Sequence, residues 1–187
     1  NPIKAAERAI SMMMFKLEGA LIRRNPDFCM EDRLLLDKID FSSSYVTLNN
    51  GRRVELESAY FPTIDGSANC YELTAEERHI IDDLRSYFIE SKTLKRHVDY
   101  LYERGSMYMC YNGNLLFHGC VPMNEDGSFR IITYRGEEYT GRVWMDFCEE
   151  KAREAWIEHT QEGRDFMYFL WCGLLAPTSG RSFTTFE

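Results

Sequence analysis

The stretch NGNLLFHGCVPMNEDGSF, residues 112–129, shows how the chain folds around its most informative histidine. Apolar runs lie on both sides of an Asn-Gly pair, the dipeptide most typical of a tight β-hairpin turn. The second run ends in His118 and Gly119, and a proline and an acidic turn follow. We therefore predict a hairpin over 106–118 that carries an imidazole at the end of its second strand.

Two interpretations of His118 follow from this position. In the first, the ring lies at the rim of an apolar core and bonds to a carbonyl. In the second, the strand is a rigid support that presents the imidazole to a metal ion, because metal ligands need a tightly held geometry. Gly119 would then let the chain turn at once and approach the ion without a Cβ clash. The residues alone leave both interpretations open.

Helical patterns flank the hairpin. Apolar residues three and four positions apart predict a helix over 4–24. Thr74 and Glu77 form a capping box that begins a second helix, and a third ends at Gly105. Further helices are predicted over 141–160 and 164–172, a second hairpin over 45–57, and a strand over 128–134. The mixture is typical of an α+β fold.

The composition excludes some classes of function. The 187 residues carry a net charge of −8, whereas nucleic-acid-binding proteins concentrate Lys and Arg. No apolar run approaches the roughly 18 residues of a membrane-spanning helix. The six cysteines form no C-x-x-C pair, which predicts reduced thiols in a cytoplasmic protein. We therefore expect neither a nucleic-acid nor a membrane partner.

Other candidate residues have a plain structural interpretation beside a functional one. Cys120 is either an oxidation-sensitive thiol beside the metal or a buried small apolar residue. His79, His97 and His159 lie on predicted helices among charged residues, so we predict that they are surface histidines. The acidic segment 125–128 lacks the alternating oxygen ligands of a calcium loop and is predicted to be a turn.

Six blocks of the chain, in order, resemble the middle of the class III bacterial fructose-1,6-bisphosphatases, which belong to the calcineurin-like metallophosphatase superfamily. The blocks are FKLEG (15–19), MEDRLLLDKID (30–40), FPTID (61–65), GSMYMCYNGNLLFHGCVPMNEDG (105–127), LWCG (170–173) and TTFE (184–187). Any one block alone would be unspecific, but six in sequence are specific.

The resemblance implies an activity and a site. It implies hydrolysis of the 1-phosphate of fructose 1,6-bisphosphate to fructose 6-phosphate and phosphate, in gluconeogenesis, by a hydroxide that two metal ions, usually manganese, activate. It implies that His118 is a ligand of one metal ion and that Arg181 contacts a substrate phosphate. The tail reads GLLAPTSGRSFTTFE where the family has a Gly-Pro-x-Ser-Pro pattern, so a solvated Arg181 stays an alternative.

The resemblance also implies a fold, an α/β/β/α sandwich with a central β-hairpin flanked by helices. We interpret residues 1–187 as a single internal fragment of the catalytic domain, with 44–104 as an inserted helical lobe. The superfamily's Asp-x-His, Gly-Asp-x-x-Asp, Gly-Asn-His and late Gly-His blocks do not occur in this sequence. Since one imidazole does not hold two ions, we expect the fragment alone to be inactive. Its open strand edges favour a homo-oligomer.

Two other functions stay open. One is a different metallophosphoesterase of the same fold that acts on phosphoproteins or nucleotides. The other is a non-enzymatic binding module that presents the hairpin and helices as a surface. Flanking metal-ligand blocks in the parent gene would favour an enzyme, and their absence would favour the module.

Overall fold

The chain divides into two compact units with a mixed helix and strand content. The computed structural model describes residues 2–64 and 69–179. Within these, the first unit comprises 2–26, 30–64 and 69–90, and the second comprises 27–29 and 91–179. This division passes through the segment 44–104, whose interpretation as an inserted lobe stays a prediction.

In its described residues, the first unit contains two α-helices, short 3-10 helices and a small sheet. Helix α1 spans Pro2–Arg24, close to the predicted bounds, and α2 spans Ala75–Glu90. Three short strands form an antiparallel sheet in the order β1-β2-β3, and Val46 at its centre is fully buried. The hairpin predicted over 45–57 is therefore confirmed. The strands are β1 Ile39–Asp40, β2 Tyr45–Thr47 and β3 Arg53–Glu55.

Tyr71 is buried in the first unit's apolar cluster with Leu36 and other side chains, and its hydroxyl is a polar group inside that cluster. Its hydroxyl accepts a hydrogen bond from the Leu36 N–H at 3.1 Å and donates one to Asp37 Oδ1 at 2.9 Å. Burial, together with the bond to Asp37, raises the pKa of Tyr71 above its usual value. The hydroxyl therefore stays protonated and satisfies two partners from inside the cluster.

Helix α2 begins at the predicted capping box. Thr74 Oγ1 accepts a hydrogen bond from the Glu77 N–H at 3.2 Å, and the Glu77 carboxylate accepts one from the Thr74 N–H at 2.8 Å. The same carboxylate lies 2.8 Å from Nζ of the fully buried Lys16 and accepts the Thr63 hydroxyl at 2.7 Å. Burial acts to raise the pKa of Glu77, but these hydrogen bonds outweigh it and hold the pKa below its ordinary value. The cap of α2 is thus also the counter-charge of a buried lysine on α1.

Over 27–29 and 91–179, the second unit contains three α-helices and two hairpins, each hairpin forming its own two-stranded antiparallel sheet. No described helix of the chain is long and apolar enough to cross a membrane. The elements of the second unit are α3 Lys92–Arg104, β4 Tyr108–Tyr111, β5 Asn114–Phe117, β6 Ile131–Tyr134, β7 Glu137–Thr140, α4 Gly141–Glu158 and α5 Gln161–Cys172.

The central hairpin and the helices of this unit are confirmed, with some shifted ends. The strand predicted over 128–134 is confirmed only for 131–134, and it pairs with β7, which the sequence did not predict. Helix α5 begins three residues before the predicted position 164, because the Thr160 hydroxyl accepts the Gly163 N–H at 3.0 Å and caps it. Since the described ranges contain three separate small sheets, the α/β/β/α sandwich stays a prediction.

An aromatic core joins α4 to α5. Trp144 is 1% exposed, and its ring lies 6.0 Å from that of Phe169 and 6.5 Å from that of Phe166. Phe28, from the 27–29 segment, stacks on Phe169 at 4.8 Å. The Trp144 indole N–H donates to the Leu175 carbonyl at 2.8 Å, so its one polar group is satisfied inside the core.

We predict that Tyr71→Phe destabilises the protein by about 2 kcal/mol in chemical denaturation. The change leaves the buried Leu36 N–H without its acceptor, and a buried unsatisfied donor costs about 1–3 kcal/mol. Tyr60→Phe is the matched control, because Tyr60 is 73% exposed, and its effect should stay within about 0.5 kcal/mol. Equal losses in the two variants would contradict the role assigned to the Tyr71 hydroxyl.

We predict that Glu77→Gln destabilises the protein by about 3 kcal/mol near pH 7, because it leaves Lys16 buried without a counter-charge. A lowered pKa means that the carboxylate's contribution is fully present above about pH 4.5 and is lost as the pH falls through the folded-state value. The difference between wild type and variant in the free energy of unfolding should therefore shrink below about pH 4.5. The control is Glu76→Gln, because Glu76 is the exposed neighbour. A difference in unfolding free energy for Glu77→Gln that does not change with pH would argue against this account.

Candidate functional site at the end of the central hairpin

His118 follows the last residue of β5 directly, and its side chain is exposed. Within residues 2–64 and 69–179 its ring makes no hydrogen bond and no ion pair. The first interpretation required a hydrogen bond from the ring to a carbonyl, and the described residues show none. An exposed imidazole at the end of a paired strand is available to a ligand, and its role as a metal ligand stays a prediction.

The base of the hairpin is fixed to α4 by Glu149. Its carboxylate accepts the Met107 N–H at 2.8 Å and the Ser106 hydroxyl at 2.7 Å, and Arg153 lies 2.9 Å from its other oxygen. Burial acts to raise the pKa of Glu149, but these hydrogen bonds prevail and lower it. The Tyr108 hydroxyl donates to Asp146 at 2.7 Å, which raises the pKa of Tyr108. The strands that carry His118 are therefore attached to a helix of the core.

Gly119 has a different reason to be glycine from the one that the sequence indicated. It is not among the residues with a positive φ, so its conformation does not require glycine. A Cβ at this position would lie 2.6 Å from the Pro177 carbonyl oxygen and 2.7 Å from the Thr178 carbonyl carbon. The absent side chain lets the backbone after His118 approach residues 177 and 178 closely.

Cys120 is half-buried and packs on the same segment. Its backbone N–H donates to the Pro177 carbonyl at 2.9 Å, and its Sγ lies 3.5 Å from the Ala176 carbonyl. Burial raises the pKa of the Cys120 thiol. A thiol that stays protonated is a poor nucleophile, so Cys120 has the character of a small apolar residue. This agrees with the plain structural interpretation.

The described residues do not complete a metal site. In residues 2–64 and 69–179, no group of three His, Cys, Asp or Glu side chains comes together in an arrangement that could hold an ion. His118 fits as one nitrogen ligand of a divalent metal, since imidazole suits such ions. One ligand fills one coordination position, and the other ligands would have to come from elsewhere.

The second predicted site residue, Arg181, lies outside the described residues, as does the TTFE block. The other histidines are exposed, as predicted. His79 lies 3.7 Å from Asp83 on the same helix, and His159 has a positive φ of 52° at the end of α4. His159 thus ends the helix that the sequence predicted over 141–160.

Sequence reasoning missed a groove of about 690 Å³ between the hairpin and α4. Two arginines line it, but Arg142 lies 3.3 Å from Asp146 and Arg153 lies 2.9 Å from Glu149. Two further acidic residues, Glu150 and Glu154, also line the groove. Glu154 is itself paired with Lys151 at 2.6 Å, so the four carboxylates face three basic groups that are each already paired, and the groove does not suit a phosphate ester.

Comparison with known proteins identifies the family. A model of the family described as Firmicute fructose-1,6-bisphosphatase matches residues 1–187. Curated relatives with the name fructose-1,6-bisphosphatase class 3 include proteins of Clostridium tetani (strain Massachusetts / E88), 42% identical over 96% of this chain, and Clostridioides difficile (strain 630), 45% identical over 96%. A third, from Clostridium beijerinckii (strain ATCC 51743 / NCIMB 8052), is 42% identical over 100% of this chain. No solved structure matches.

The chain spans 28–29% of the length of these three relatives. The match nevertheless covers the hairpin, the His118 turn and both compact units. The six-block resemblance found in the sequence is therefore confirmed: the chain belongs to the Firmicute fructose-1,6-bisphosphatase family.

Proposed function

We propose that the full-length protein containing this chain hydrolyses the 1-phosphate of fructose 1,6-bisphosphate, giving fructose 6-phosphate and phosphate. The observation that carries this proposal is the family match over residues 1–187. It is supported by the exposed imidazole at the one place where the superfamily's histidine-glycine block occurs in this sequence. We further propose that the enzyme is cytoplasmic, takes part in gluconeogenesis and uses manganese.

In this proposal His118 supplies one nitrogen ligand to a divalent metal site. A pair of divalent ions supplies a nucleophile near neutral pH and stabilises charge on the phosphoryl oxygens. The chain's own contribution is geometric: β4 and β5 hold His118 at the end of a paired strand, and Glu149 fixes that hairpin to α4. The remaining ligands belong, in this proposal, to parts of the enzyme beyond the 28–29% that this chain spans.

The hairpin's exposed side chains support the proposal that it is an inner part of an α/β/β/α sandwich. Met109 and Leu116 lie opposite each other on one face, 57% and 52% exposed. Leu115 and Phe117, which alternate with Leu116 along β5, lie on the other face at 47% and 43%. A strand that is apolar on both faces is typical of a sheet covered on both sides.

The same hairpin supports the proposal of a homo-oligomer when this chain is isolated. In the described ranges, β4 and β5 pair only with each other, so the outer edge of each strand is open. Open edges recruit other chains. We also propose a sugar bisphosphate as the substrate class and neither a nucleic-acid nor a membrane partner. The net charge of −8 supports the absence of a nucleic-acid partner.

Arg181 remains part of the proposal, as a contact to a substrate phosphate. A guanidinium donates two parallel hydrogen bonds to phosphate oxygens, which suits a bisphosphate substrate. The alternative functions, a phosphoprotein or nucleotide phosphatase and a non-enzymatic module, have less support, because the curated relatives have the name fructose-1,6-bisphosphatase class 3.

We predict that His118→Ala in the full-length enzyme lowers the rate of phosphate release from fructose 1,6-bisphosphate by at least about 100-fold. Mutation of outer-shell partners of a metal ligand already costs 10–100-fold, and loss of the ligand itself should cost no less. Steady-state kinetics with manganese present measures the effect. His97→Ala is the matched control, since His97 is an exposed histidine on α3, and it should retain wild-type activity.

Phosphate-release assays with different substrates distinguish the two proposed classes of phosphatase. Wild-type enzyme should release phosphate from fructose 1,6-bisphosphate in preference to a phosphopeptide and a nucleoside monophosphate. Preference for either of the latter would replace the proposed function by the other metallophosphoesterase. Wild-type rates in His118→Ala would remove His118 from the site.

We predict that the 187-residue chain alone has no phosphatase activity, even with manganese, because its described residues bring together no group of three metal ligands. A phosphate-release assay on the purified chain, beside the full-length enzyme as the positive control, tests this. Turnover by the chain that survives further purification and disappears in His118→Ala would show that it holds a complete site.

A further inference from the structure

We propose that residues Leu175–Thr178, the support segment, position His118 for its ligand. This inference rests on the proposed function, in which His118 binds a divalent metal. The support segment contains no His, Cys, Asp or Glu, and no motif in the sequence pointed to a role for it. Its residues would act through the backbone of Gly119 and Cys120, and they are therefore positioning residues.

The first observation is the close approach at Gly119. Its Cα faces the carbonyls of the support segment so closely that an added Cβ would lie 2.6 Å from the Pro177 oxygen. Cβ atoms essentially never lie that close to a backbone atom, so any side chain there would displace one of the two backbones. Because Gly119 does not have a positive φ, this contact alone explains why a side chain is excluded.

The second observation is that His118 lies between two fixed points. Before it, Phe117 pairs with Tyr108 across the hairpin, and Tyr108 is hydrogen-bonded to Asp146 of α4 at 2.7 Å. After it, the Cys120 N–H donates to the Pro177 carbonyl at 2.9 Å. Only His118 and Gly119 lie between the paired Phe117 and Cys120, which is bonded to the support segment. The Cα position of His118 therefore has little freedom.

The third observation is that the support segment is itself held by the core. Ala176 and Pro177 are fully buried, and Leu175 is 8% exposed. The Leu175 carbonyl accepts the Trp144 indole N–H at 2.8 Å, and the Thr178 hydroxyl donates to the Leu170 carbonyl of α5. A segment fixed by a buried indole and by a helix carbonyl gives the His118 turn a rigid base.

A positioning role of the support segment predicts a result that a purely structural role does not. If the support segment fixes the backbone position from which the imidazole extends, then loosening it should weaken metal binding before it weakens the fold. Outer-shell groups that orient a metal ligand typically contribute 10–100-fold to metal affinity. The readout is therefore the affinity of the metal-free enzyme for manganese, beside its melting temperature.

The experiment uses the full-length enzyme with Gly119→Ala, Thr178→Val, His118→Ala and the control Glu125→Ala, whose side chain is exposed in the same loop. Calorimetric titration of each metal-free protein with manganese alone gives the affinity, and thermal unfolding of the metal-free form gives the stability. We expect Gly119→Ala to weaken manganese binding by about 10–100-fold, Thr178→Val to weaken it by about tenfold, and Glu125→Ala to leave it unchanged. We also expect the activity of Gly119→Ala on fructose 1,6-bisphosphate to recover as manganese is raised.

Thr178→Val keeps the test decisive if Gly119→Ala does not fold, because it removes the hydroxyl bonded to the Leu170 carbonyl and adds no heavy atom to the side chain. Wild-type manganese affinity in Gly119→Ala and Thr178→Val, with weakened binding in His118→Ala, would overturn the positioning role and leave the proposed function intact. Wild-type affinity and activity in His118→Ala would overturn both. An equal loss in Glu125→Ala would show an unspecific effect of loop substitutions and would also overturn the positioning role.

Discussion

The hydrogen bond from the Trp144 indole to the Leu175 carbonyl connects the core of the second unit to its candidate site. The indole is 1% exposed and packs against Phe166 and Phe169, so it does not shift without opening the core. A buried indole N–H without an acceptor would cost free energy, and this fixes the Leu175 carbonyl where the ring requires it. The chain that follows lies directly beneath the His118 turn. The backbone beside His118 therefore rests on a segment that aromatic packing in the core holds in place.

Local signals in the sequence predicted the elements that local chemistry determines. The Asn112-Gly113 turn has positive φ at both residues, as an Asn-Gly hairpin requires, and the Thr74 capping box has both of its reciprocal bonds. The hairpin of β6 and β7 escaped prediction because Arg135, a residue that rarely adopts φ of 53°, occupies its turn. The Arg135 N–H donates to Asp27 at 3.0 Å, a partner 108 positions away along the chain. No local pattern reveals a contact of that separation.

Some of the blocks that carry the family resemblance contain residues whose observed role is packing. In the FKLEG block, Lys16 is fully buried and bound to Glu77, and the ring of Tyr71 covers Gly19 so closely that a Cβ there would overlap it. These residues hold the first unit together and contact no candidate ligand site. In the longest block, the residue with a candidate ligand role is His118, which follows a strand. Its imidazole is exposed and makes no hydrogen bond within the described residues. The family was thus predictable from the six blocks taken together, whereas the site was predictable at one residue.

A metal site cannot be completed by local determinants, because its ligands converge from segments far apart in the chain. What one segment can supply is a ligand whose backbone is already ordered. His118 has that property: the paired strand fixes the residue before it, and the Cys120 bond to Pro177 fixes the turn after it. A ligand held in this way loses less conformational freedom on binding than one on a free loop, so more of the coordination energy remains as affinity. In the proposed two-metal site, a rigid support beneath His118 would act together with other ligands held in place, because the two ions must keep a fixed separation.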